Sequence, residues 1–113
     1  MRRMEVVPLR QSMSNFPISF DEINSRARAQ ALIFLPQLLP SGKQMGREWV
    51  ALNPRRPDRS LGSFRINIET GRWADFAIGA KGGDFISLAA YVLDIRQIDA
   101  AKRVAAIIGA KSP

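Results

Sequence analysis

The chain contains no cysteine and no histidine. Their absence excludes disulfides, thiolate or imidazole zinc sites, cysteine nucleophiles and any Ser-His-Asp triad. Acidic residues are also scarce, with 10 Asp plus Glu against 17 Lys plus Arg. No Asp-x-Asp pair is present to hold magnesium, so the expectation is a protein that is not an enzyme. Asp58, Glu69 and Asp75 read as turn or surface carboxylates. Long apolar runs are missing too. One apolar run, Ala31-Leu32-Ile33-Phe34-Leu35, meets Pro36, and none approaches the ~20 residues of a membrane span. Residues 1–15 have neither the apolar core nor the cleavage pattern of a signal peptide. Together these absences predict a cytoplasmic protein with no membrane partner.

What is present is an ordinary globular composition, 46% hydrophobic and 24% charged, in 113 residues and 12.6 kDa. That is enough for one compact domain and too little for two. The net charge is +7 and the pI near 11.1, with arginine outnumbering lysine. Guanidinium groups suit planar, bidentate contacts to phosphate and base edges, so a basic domain of this kind fits a nucleic-acid binder. The competing reading of the charge is a basic protein that binds nothing in particular.

Residues 1–17 lack periodicity and are punctuated by Pro8 and Pro17, which predicts a flexible leader ahead of one domain over 18–110 and a tail at 111–113. Ser19-Phe20-Asp21-Glu22 reads as a capping box. The helix after it carries Ile23, Ala27, Ala31, Phe34 and Leu38 at helical spacing, with Pro36 expected to end or kink it. Three strands are predicted next. Trp49 to Leu52 is short and apolar, and Phe64 to Ile68 alternates at period two. Arg72 to Phe76 returns after a Glu69-Thr70-Gly71 connection. Residues 53–62 form a basic loop with three arginines, and Gly79 to Gly83 a glycine-rich one. Asp84 is a good N-cap for a helix with Phe85, Leu88, Ala89 and Val92 on one face. A last helix spans Gln97 to Ile108, with Gly109 as its stop. The fold class is α+β: a three-stranded antiparallel sheet packed against an N-terminal helix and two C-terminal helices.

The order of motifs from Glu48 to Leu93 resembles the N-terminal zinc-ribbon domain of DnaG-type primases of bacteria and phages. That family has a Cys-Pro-x-His knuckle, a Pro-Ser-Phe strand, a Cys-Phe-x-Cys knuckle and a Gly-Gly-Asp turn into a helix. Here Gly62-Ser63-Phe64, Asp75-Phe76-Ala77-Ile78 and Gly82-Gly83-Asp84-Phe85-Ile86 stand at the last three, and Ala51 and Pro54 lie near the first. The resemblance covers about half the chain. Asp75 and Ile78 occupy the two cysteine positions of the second knuckle, so the expectation is a zinc-ribbon-like domain without zinc or any other cofactor. In it Val50, Ala51, Phe76 and Ile78 would pack where a metal sits.

The resemblance implies recognition of single-stranded DNA in replication of a phage, plasmid or integrated element, alone or beside a primase catalytic subunit or a helicase. The charge agrees: Lys43 to Lys81 holds 8 basic and 4 acidic residues. Arg55, Arg56 and Arg59 lie in the loop, and Arg65 and Arg72 on the strands. Trp73 and Lys81 complete the candidate nucleic-acid surface, with Trp73 as a stacking platform. The alternative for these residues is a core tryptophan and a solvated basic face. The Gly79–Asp84 loop reads first as a turn capped by Asp84, and second as an anion cradle with Lys81. Asp75 would be structural if it pairs with Arg72 or Arg65 across the hairpin. The other functional reading is a non-enzymatic module docking a replication protein, through an apolar patch at Trp49 and Trp73. An inhibitor of a DNA-processing enzyme would need an acidic face that this sequence does not show.

Overall fold

Four helices and five strands follow one another in a computed structural model that describes residues 18–57 and 59–113. The expected leader over 1–17 and Asp58 lie outside the described residues. The order is α1 (Phe20–Ala29), α2 (Ala31–Leu38), β1 (Lys43–Met45), β2 (Glu48–Ala51), β3 (Phe64–Asn67), β4 (Trp73–Asp75), β5 (Ala80–Gly82), α3 (Phe85–Leu93) and α4 (Gln97–Ile108). The class is α+β, as the sequence predicts. The sheet has five strands rather than three, all antiparallel and in the order β1-β2-β3-β4-β5.

The two additional strands are the edges. β1 is polar and exposed throughout, so no apolar alternation marks it. It returns to β2 through Gly46-Arg47, with Gly46 at φ +63°, a backbone state that glycine reaches without strain. β5 lies inside the glycine-rich stretch that the sequence presents as a loop. Gly82 is needed there for close approach. A Cβ would overlap the Trp73 indole nitrogen and approach Ser87 Oγ to 2.6 Å. Glycine in a strand here marks packing and not a turn.

The N-terminal helix breaks at Gln30 and not at Pro36. Gln30 leaves helical geometry at φ −123° and ψ 28°. Pro36 remains inside α2, where the bond it removes belongs to the carbonyl of Leu32, a half-exposed residue. The break turns α2 so that Phe34, Leu35 and then Leu39 are buried; Leu38 is only partly covered. Ser19 caps α1 through the Glu22 amide at 3.1 Å, while the Glu22 carboxylate bonds Arg26 instead of reaching back. The reciprocal capping box is at α3. There Asp84 Oδ1 accepts from the Ser87 amide at 2.7 Å and Ser87 Oγ accepts from the Asp84 amide. Gly109 ends α4 at φ +73°.

The described helices pack on one side of the sheet. Trp49, Ala51, Phe64, Ile66 and Trp73 form a continuous buried cluster with Ile23, Phe34, Phe85, Leu88 and Val104 from the helices. Asn24, buried on α1, accepts the Ile86 amide at 3.0 Å. It satisfies one of the free N–H groups at the start of α3 and fixes the two helices together.

Candidate nucleic-acid interface

The strand register sorts side chains to the two faces of the sheet. Phe64 and Ile66 face the helices, so Arg65 between them faces away. Arg65 stands opposite Val50 on one side and Ala74 on the other, Val50 opposite Lys43, and Ala74 opposite Lys81. One row on the face turned away from the described helices therefore crosses all five strands: Lys43, Val50, Arg65, Ala74, Lys81, with Val50 itself fully buried. Glu48, Arg72 and Phe76 lie two residues from members of that row and share its face.

This face is cationic. Among the described residues, Lys43, Arg72 and Lys81 are exposed and make no side-chain ion pair. Arg65 is half-committed. Its Nε donates to the Gly62 carbonyl at 2.7 Å and its Nη1 to Glu48 Oε1 at 2.8 Å. Phe76 stands beside them with 72% of its surface exposed. Ala74 is the small member of the row. A shallow concavity of about 220 Å³ opens over it, lined by Glu48, Arg65, Arg72, Phe76 and Lys81.

Of the residues that the sequence singles out, Arg65, Arg72 and Lys81 are brought together here. Trp73 is not available as a stacking platform. It is 6% exposed and packed on the helix side against Tyr91 at 4.9 Å and Phe64 at 6.1 Å, with its Nε1 donating to Ser87 Oγ at 3.0 Å. The reason is strand parity, since consecutive residues Arg72 and Trp73 take opposite faces. Trp49 is buried in the same way, with its Nε1 on the Leu39 carbonyl, so no exposed patch forms at Trp49 and Trp73. The exposed aromatic beside the cations is Phe76, whose signal was its position two residues beyond Ala74. Lys43 was the other residue missed, for want of an apolar pattern in β1.

The loop arginines serve elsewhere. Arg55 Nη1 donates to the Tyr91 carbonyl at 2.7 Å, lies over the Tyr91 ring and approaches Asp94 at 3.6 Å. A cation at the end of α3 complements the free carbonyls there. Arg56 turns inward to Asp75, with Nε to Oδ2 at 2.7 Å, and its Nη2 donates to Ser63 Oγ. Arg59 is exposed.

Asp75 is neither a surface residue nor a partner of Arg65 or Arg72. It is fully buried. Asn53 Nδ2 donates to Oδ2 at 2.8 Å and the Ala77 amide to Oδ1 at 2.9 Å. Asn53 also donates to the Tyr91 hydroxyl at 2.9 Å, tying α3 into the cluster. Burial pushes the Asp75 carboxyl up, but the bonds from Arg56, Asn53, Ala77 and Ser63 outweigh it and hold the pKa down at about 2. The second-knuckle position of the resemblance is thus filled by a polar cluster. Of the residues expected to pack there, Val50 and Ala51 are buried but on opposite faces of the sheet, and Phe76 and Ile78 are exposed. Among the described residues, no three His, Cys, Asp or Glu side chains converge to hold a metal.

No helix among the described residues is long and apolar enough to cross a membrane. No protein-family model matches this chain, and no curated protein matches it.

Proposed function

We propose that this protein is a non-catalytic module that binds single-stranded DNA on the outer face of its sheet. The observation that carries the reading is the row of cations flanking an exposed aromatic on the sheet face opposite the one that packs against the described helices. Cations that track a backbone, with a ring for a base to stack on, are what single-strand binding requires. Arg72, Lys81, Lys43 and the partly free Arg65 take the phosphates, and Phe76 takes a base. The motif resemblance to primase N-terminal domains points to the same ligand. On that resemblance the module would serve replication of a phage, plasmid or integrated element, beside a primase catalytic subunit or a helicase.

The test is fluorescence anisotropy of labelled single-stranded and duplex DNA at two salt concentrations. Three to four phosphate contacts predict a log–log salt slope of about −2 to −3 on a single strand. Absence of binding at low salt would defeat the reading.

A second reading, a module that docks a replication protein, is favoured by the adjacent Leu32 and Ile33 on α2. They are 49% and 57% exposed and line a shallow depression with Ile68. Leu32→Glu with Ile33→Glu would abolish capture by a purified helicase or primase subunit on that reading and leave DNA binding unchanged.

A further inference from the structure

The cationic face contains one residue that weakens its attraction for phosphate: Glu48. Among the described residues it is the only carboxylate lining the concavity over Ala74, and it stands among Arg65, Arg72 and Lys81. It is also held in place. Arg65 grips Oε1 at 2.8 Å and is itself anchored on the Gly62 carbonyl at 2.7 Å. Oε2 has no hydrogen-bond partner among the described residues. The concavity is shallow, with a volume of about 220 Å³.

Resting on the reading of this face as a single-strand site, we propose that the concavity selects guanine through the Glu48 carboxylate. An ionised carboxylate only accepts hydrogen bonds. Guanine is the base whose Watson–Crick edge presents two adjacent donors, N1–H and the N2 amino group. Adenine and cytosine place an unprotonated ring nitrogen beside their amino group, and thymine flanks its one N–H with two carbonyls. Each of these turns an acceptor toward the carboxylate and is repelled. In an unpaired strand that edge is open to the protein. Phe76 stacks the base, Glu48 reads its edge, and Arg72 and Lys81 hold the adjoining phosphates. The carboxylate lowers affinity for every strand and lowers it least for one carrying guanine, so the discrimination comes from rejection as much as attraction.

The experiment is anisotropy with short thymine strands carrying one central guanine, inosine, adenine or cytosine, and with the all-thymine strand. Guanine is expected to bind about tenfold more tightly than adenine, cytosine or thymine. Inosine keeps N1–H and lacks the amino group, so it falls between. Glu48→Gln replaces an acceptor with a donor and removes a negative charge. It abolishes the preference and raises affinity for the all-thymine strand. Glu48 is on the surface, with 38% of its side chain exposed, and an unchanged melting temperature will verify that the variant folds. Equal affinity for all strands, with salt-dependent binding intact, would overturn guanine selection and leave the single-strand reading standing. A guanine preference that persists in Glu48→Gln would overturn the role of Glu48. Absence of binding to every strand would overturn both.

Discussion

The guanidinium of Arg56 lies 2.7 Å from the buried carboxylate of Asp75, and this pair joins the loop after β2 to the end of β4. Arg56 is 21% exposed and Asp75 is closed to solvent. Asn53, the Ala77 amide and Ser63 also bond the carboxylate. In a fold with no disulfide, this buried polar cluster ties the corner together.

Removing one member leaves the others buried without a counter-charge. Asp75→Asn is expected to lower stability by about 3 kcal/mol, the low end for breaking a buried ion pair, since Arg56 keeps some contact with water. Urea denaturation measures it. A loss under about 1 kcal/mol would show that the cluster is not a staple. Arg56→Lys retains the charge but loses the fork that reaches both Asp75 and Ser63, so its loss is intermediate.

The same pair sets an acid limit. The folded pKa of Asp75, about 2, is below its ordinary value of 3.8. Stability from this group is fully present above the unfolded value and is lost as the pH falls through the folded one. Between about pH 4 and pH 2 the native protein should lose about 2 kcal/mol that Asp75→Asn does not lose. Parallel wild-type and variant denaturation curves over that range would reject this origin of the acid sensitivity.

On the outer face, binding and stability should separate. Arg72→Ala with Lys81→Ala is expected to reduce the magnitude of the salt slope by about 1.4, two phosphate contacts' worth on a single strand, without shifting the melting temperature. Phe76→Ala is expected to weaken binding by about 1–3 kcal/mol with the fold intact. Trp73→Ala, by contrast, should destabilise the protein, because that ring is core. Anisotropy and thermal melts on one set of variants decide the matter. A Phe76→Ala variant that binds normally removes the stacking role.

Gly82→Ala tests the edge strand. A Cβ there would overlap Trp73 and Ser87, which already bond to each other. The expected cost is about 1–3 kcal/mol from overpacking. A Gly83→Ala control, where a Cβ meets nothing within 4 Å, should cost far less.

The helices were legible because their signals are local. Ser19 and Asp84 as caps and Gly109 as a stop need only neighbouring residues. The β3–β4 hairpin was legible for the same reason, with Gly71 at φ +82° and Asn67 Oδ1 accepting from the Glu69 and Thr70 amides. The site was read less well. Arg72 and Trp73 are adjacent in sequence, which suggests one shared surface, but strand parity sends them to opposite faces.

By itself, the sequence determined the α+β class, the central strands and most helix ends, and it excluded cysteine and histidine chemistry outright, since absent atoms cannot react or ligate. Tertiary structure alone decided the edge strands, the inward turn of Arg56 to Asp75 and the exposure of Phe76. Those outcomes depend on which sheet face the helices cover and on which groups burial brings within hydrogen-bonding distance. Asn53, Arg56 and Asp75 meet across 22 positions of chain, and no periodicity along the chain encodes a contact that only packing creates.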